Sequence, residues 1–259
     1  MGWVGDARSA AGPEVGRYLE AVFTPGERLG VLEDDPATFI EVAEVREVAT
    51  IRVPSGRLVV DCPWPDDETG LPLELRKGRE LAARITPGTY RVEAAWTEAP
   101  STFMDEHFDG RECAAVRLCL GDEPVAGWEM APGVDDDIER LRAGEGVSFH
   151  PVELATGGFA DATAWPQLTT PFLRFWQELG ALGEMNLSPE EFHEASARVT
   201  RATEEYDHHF ERVSDDTLGA DLLTFPVDGS TVVWLRRTRS GEIASVAVPS
   251  TSRAPSPDL

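Results

Sequence analysis

Cysteine, histidine and basic residues are all scarce in this chain, and each shortage excludes something. The three cysteines, Cys62, Cys113 and Cys119, are odd in number, and their spacing fits neither a disulfide framework nor a zinc knuckle. Cys113 and Cys119 lie six residues apart in a strand-like segment and so share a face. They read as small core residues of a reducing compartment. Lysine and arginine total 23 against 47 aspartates and glutamates, a formal net charge of -24. Such an excess repels phosphate backbones and anionic membranes, so nucleic-acid and membrane binding are not expected. It suits solubility, a basic protein partner or cations. No apolar run reaches the roughly 18 residues that span a bilayer. Met1 to Asp6 carry neither a basic flank nor an apolar stretch, so a cytoplasmic chain is expected. Phosphate-loop glycine motifs are missing, as is any serine in a G-x-S-x-G elbow. No cysteine has the adjacent basic residues that would favour a thiolate.

What is present is a chain of 259 residues, 41% apolar and 27% charged, enough for a packed core. Pro13 to Phe23 predicts a short helix, with proline in the first turn and an apolar stripe of Val15, Leu19, Val22 and Phe23. Phe39 to Val53 and Arg57 to Asp61 read as strands around a Pro54-Ser55-Gly56 turn. Cys62 to Asp67 reads as an exposed loop anchored by Trp64. Thr89 to Trp96 alternates like a strand after the turn at Thr86-Pro87-Gly88. Glu112 to Leu120 and Pro124 to Met130 predict a hairpin around Gly121-Asp122-Glu123.

Asp135 to Leu141 predicts a brief helix, and Thr170 to Leu182 another. Pro189 to Val213 predicts a longer one. Ser188 and Glu191 form a capping box there, and Phe192, Ala195, Val199, Ala202, Tyr206 and Phe210 follow at helical spacing. Thr231 to Arg237 and Glu242 to Val248 predict a closing hairpin, and residues 251–259 a disordered tail. The expected fold is α+β: a mainly antiparallel sheet or sandwich with a helical segment packed on one side. Strands from both ends of the chain flank the helices, which favours a single globular domain over residues 1–250.

Several of these pieces, in this order, resemble a bacterial domain-of-unknown-function family, the one numbered four-two-four-one. Ser55 to Pro63 is similar to its early strand and turn, where the family usually runs Cys-Asp-Pro and this chain has Asp61 and Cys62 transposed. Thr86 to Val92 is similar to its Pro-Gly-x-Tyr-x-Val strand. Glu112 to Leu118 with Val125 to Ala131 is similar to its central hairpin. Phe149 to Asp161 resembles a segment ending in Phe-x-Asp, with Glu153 standing in for a family aspartate. Asp228-Gly229-Ser230 with Gly241-Glu242-Ile243 resembles the closing Gly-Asp-Gly hairpin, although Val227 replaces its first glycine. The resemblance covers about residues 40–250. It implies a fold and no settled activity.

Chemistry-bearing residues concentrate in Phe149 to Asp161. There His150, Glu153 and Asp161 flank the pair Gly157-Gly158, which lets a backbone turn sharply or come close to a ligand. With Glu129 these form the first candidate set, able to hold a hard cation or move a proton if one carboxylate is desolvated. One histidine and no suitable cysteine disfavour zinc. The plain alternative is that Asp161 caps a local turn and Glu153 faces solvent.

Trp128-Glu129 is a second candidate, a ring that could stack a ligand beside an acid. The plain alternative is a core tryptophan alternating with a solvent-facing glutamate. Asp228 sits in a common turn signature. Glu190, His193, Glu194, His208 and His209 could hold a metal weakly, but a solvated helix face explains them as well. The candidate binding residues are therefore Trp128, Glu129, His150, Glu153, Asp161 and Asp228. Catalytic residues, metal and cofactor stay unassigned. Two functions stand. One is a non-catalytic binding or accessory protein of immunity type, for a basic protein partner or a small-molecule ligand. The other is a divalent-metal-dependent or carboxylate-based hydrolase or lyase using Glu129, Glu153 and Asp161, with His150 as proton carrier.

Overall fold

The computed structural model describes residues 10–32, 36–64, 77–103, 106–142, 156–174, 177, 204–206, 210–227 and 231–250. Strands dominate these, and the helices are short and few. In chain order they are α1 (Pro13–Ala21), β1 (Arg28–Val31), β2 (Phe39–Val53), β3 (Arg57–Val60), β4 (Glu80–Arg84) and β5 (Gly88–Glu98). Next come β6 (Ser101–Phe103), β7 (Glu106–Phe108), β8 (Glu112–Cys119), β9 (Val125–Met130), α2 (Ile138–Arg142) and β10 (Thr156–Asp161). The last are α3 (Trp165–Leu168), β11 (Glu204–Tyr206), β12 (Phe210–Asp215), β13 (Ala220–Pro226), β14 (Trp234–Thr238) and β15 (Ile243–Pro249). The chain divides into two compact units. The first comprises residues 1–48, 91–148 and 228–259, and the second 49–90 and 149–227.

The first unit is built on a seven-stranded sheet ordered β1-β2-β5-β8-β15-β14-β9. Helix α1 covers one face. Val15, Leu19, Val22 and Phe23 pack on Ala95, Ala115, Trp128, Met130, Trp234 and Ala247. Proline in its first turn costs no hydrogen bond, because the first helical N–H groups have no partner within the helix. The apolar stripe that predicts this helix is the stripe it buries.

β8 and β9 are both strands, as expected, but they do not form a hairpin. β8 pairs with β5 and β15, and β9 pairs with β14. The hairpin of β14 and β15, itself expected, inserts between them. Tertiary pairing of a late segment outcompetes the local turn.

The second unit carries a six-stranded sheet ordered β11-β12-β13-β10-β3-β4. Its core includes Val59, Ala160, Trp165, Leu168, Phe172 and Leu222. Phe159 and Phe225 rings lie 4.8 Å apart, and Trp64 sets its edge against Phe172 at 4.9 Å. The turn from β2 to β3 requires Gly56: its φ is +69°, and a Cβ there would stand 2.3 Å from the Ile85 carbonyl oxygen.

Two expectations are corrected in this unit. The helix expected to run to Val213 is strand at its end, because Tyr206 lies in β11 and Phe210 and Val213 in β12. Tyr206 and Phe210 are partners across the antiparallel β11–β12 pair, and four positions separate them there as on one helix face, so that spacing could not separate the two. The pairing of β12 with β13, which buries Phe210 and Val213, decides it. Residues 189–203 of that expected helix lie outside the described residues, as does the expected tail. Gly157 and Gly158, read as a turn, lie inside β10. A Cβ on Gly158 would meet Leu222 Cδ1 at 2.9 Å and the Asp61 carbonyl oxygen at 3.3 Å. Glycine permits close approach here, by neighbouring strands.

Candidate functional site

The six candidate residues do not share one described place. Trp128 and Glu129 belong to the first unit and Asp161 to the second. His150, Glu153 and Asp228 lie outside the described residues, as do Glu190, His193, Glu194, His208 and His209.

Strand alternation sends Trp128 and Glu129 to opposite faces of β9; Trp128 is the core tryptophan of the plain alternative, whereas Glu129 is not solvent-facing. Trp128 enters the core beneath α1. Its Nε1–H donates to Glu20 Oε1 on that helix at 2.7 Å. The guanidinium of Arg236, its cross-strand partner on β14, lies 5.8 Å from the ring centroid and reaches Glu20 Oε2 at 3.3 Å. The ring therefore has both an acid and a cation of the chain itself, and the acid is Glu20 of α1 rather than the neighbouring Glu129. Glu129 does not face solvent: it is buried, and both Nε and Nη2 of Arg237 reach its Oε1, at 2.7 and 2.6 Å. Arg237 also donates to the Gly241 carbonyl in the β14–β15 turn, so the pair fixes that turn to β9.

Asp161, at the end of β10, is fully buried and saturated with donors. The Ser55 N–H donates to Oδ2 at 2.7 Å, and the Thr163 N–H and hydroxyl donate to Oδ1 at 2.8 and 2.6 Å. Burial pushes this carboxyl upward, but the bonds from Thr163 and Ser55 outweigh it and hold it below the usual aspartate value. The arrangement joins the turn before β3 to the turn after β10. In the same unit, buried Asp221 takes Nε and Nη2 of Arg52 at 2.9 and 2.8 Å and the Arg52 N–H at 2.8 Å. Burial raises its pKa, and the bonds from Arg52 and Ser214 bring it below normal.

Glu129, Asp161 and Asp221 are the buried acids among the described residues. All three are committed to structural partners. No three histidine, cysteine, aspartate or glutamate side chains among the described residues group to hold a metal ion. Burial pushes the Cys113 thiol up to about 12 and the Cys119 thiol to about 11, the latter with help from Glu93. Neither is poised as a nucleophile. No described helix is long and apolar enough to cross a membrane.

A concavity does occur beside Trp128. A groove of about 800 Å³ runs between α1 and β9, lined among others by Gly12, Gly16, Glu20, Glu27, Ala126 and Trp128. β9 is an edge strand. On its outer side Ala10 forms an antiparallel bridge with Glu129, and the Ala11 N–H donates to the Trp128 carbonyl at 2.9 Å. Among the described residues, pairing stops there. Further along, Arg237 faces Gly127 and Thr238 faces Val125, which leaves Ala126 as the extra residue of a bulge. Sequence reading found Trp128 but missed Glu20, Gly16 and Ala126. The one available signal was a glycine midway through an otherwise good helix.

A family model described as Protein of unknown function (DUF4241) matches residues 51–248. The chain belongs to that family. The match takes in β3 and β10 of the second unit and β8, β9 and β14 of the first, so DUF4241 covers most of both. No curated protein and no solved structure matches the chain.

Proposed function

We propose that this DUF4241 protein is a non-catalytic binding or accessory protein whose acidic surface receives a basic protein partner. The observation that carries this reading is the commitment of the buried acids. Glu129, Asp161 and Asp221 accept hydrogen bonds from arginines and main-chain N–H groups, so their oxygens are taken up by structural partners rather than open to a substrate. The net charge of the chain, -24, then acts as a field that speeds encounter with a cationic surface and suppresses acidic competitors. An immunity-type role, in which an acidic protein masks a basic one, fits this chemistry.

Salt titration of binding tests the reading. With a basic partner or a lysine-rich surrogate, affinity should fall steeply as ionic strength rises through the range where the Debye length shortens from about 30 to about 8 Å. Affinity indifferent to salt would overturn it. The hydrolase or lyase reading has less support, because two of its three carboxylates, Glu129 and Asp161, are engaged within their own units.

A further inference from the structure

We infer that the groove between α1 and β9 takes an extended basic segment of a partner protein, which pairs its main chain with the outer edge of β9. This rests on the basic-partner reading above and gives it a place. Two independent features point there.

The first is the edge itself. Ala11 shows that the outer side of β9 accepts main-chain pairing from another segment, since its N–H bonds to the Trp128 carbonyl. The protein's own pairing then turns away into α1, and no described main chain pairs with the outer side of Val125 to Gly127. An unpaired strand edge is a template for strand addition. The bulge at Ala126 limits that addition to a short stretch and discourages indiscriminate sheet growth.

The second is Gly16. It sits within α1, where glycine is less favourable than alanine. Neither packing nor backbone conformation requires it, because a Cβ there would meet nothing within 4 Å and the backbone is helical. What a side chain at Gly16 would occupy is the groove. A small residue there keeps the helix wall low enough for another backbone to lie against β9. Charge selects the occupant. Glu27 lines the groove with Glu20, which is half exposed and already holds Trp128 and Arg236; Arg17 is the one cation among the described lining, and the chain as a whole repels acidic segments.

The test uses a fluorescein-labelled peptide of alternating lysine and valine, followed by anisotropy with the full chain at low salt. Gly16→Leu should weaken binding at least about tenfold while leaving the melting temperature unchanged or higher. The same peptide methylated on alternate amide nitrogens should bind the parent protein at least about tenfold more weakly, because it cannot complete the strand ladder. If Gly16→Leu and parent bind alike and both release the peptide in salt, the groove assignment falls and the basic-partner reading stands. If the methylated peptide binds as well as the unmodified one, main-chain pairing falls. If the parent binds no peptide at low salt, both readings fall.

Discussion

Trp128 on β9 and Glu20 on α1 are joined by a 2.7 Å hydrogen bond from the indole N–H to a carboxylate oxygen, which locks the edge of the seven-stranded sheet to the helix that covers it. Trp128→Phe keeps a ring in the core and removes the donor. Glu20 is half exposed, so the expected loss is modest, about 1 kcal/mol. A double-mutant cycle with Glu20→Ala, read by urea denaturation, should return a coupling energy of similar size. Additive single effects would show the bond to be without weight.

Asp161→Asn replaces an acceptor-only carboxylate with a group that must point an N–H at one of its donors. The expected cost is about 2–4 kcal/mol at neutral pH. The pH dependence has a definite sign. The folded-state pKa is depressed, so the stabilisation is complete above the unfolded carboxyl value of about 4 and is lost as pH falls through the lower folded value. Melting curves of parent and variant should therefore lie furthest apart near neutrality and converge below about pH 4. A gap independent of pH would contradict the assignment.

Arg52 and Asp221 lie in β2 and β13 and bond through two guanidinium nitrogens. Asp221→Leu alone leaves a guanidinium without its main acceptor, and a loss of about 2–4 kcal/mol is expected. Adding Arg52→Met should recover much of that loss, because the pair is then replaced by packing. Chemical denaturation of the three variants checks this, and a double variant no better than the single one would contradict it.

Two glycines should respond in opposite senses to alanine. Gly158→Ala forces a Cβ against Leu222 and the Asp61 carbonyl and should cost about 1–3 kcal/mol. Gly16→Ala meets open space in a helix and should stabilise by about 1 kcal/mol. Differential scanning calorimetry separates them by the sign of the shift in melting temperature.

Much of the fold was legible because local physics and final structure agree. Pro13 and the stripe from Val15 to Phe23 specify α1, and β2, β5 and the β14–β15 hairpin follow from alternation and turn residues. Failures came where distant chain decides. Nothing near Gly121 reveals that β15 will lie beside β8, so the tempting β8–β9 hairpin was wrong. Tyr206 and Phe210 carry a spacing that a helix and a pair of antiparallel strands both satisfy. Within the candidate site, Trp128 was visible as an aromatic in a strand. Its acid was sought next door at Glu129, whereas Glu20 comes from more than a hundred positions upstream. Arg237 was invisible for the same reason: only the β9–β14 register brings it to Glu129.

The place of β15 has a consequence for biosynthesis. It leaves the ribosome after the other six strands of its sheet, yet it lies inside that sheet, between β8 and β14. Until it arrives, β8 has an open flank and the β9–β14 pair has no strand joining it to β8. That sheet must therefore wait, partly assembled, until β15 has been translated. A stop codon just before Ile243 would take out a central stave rather than trim a border.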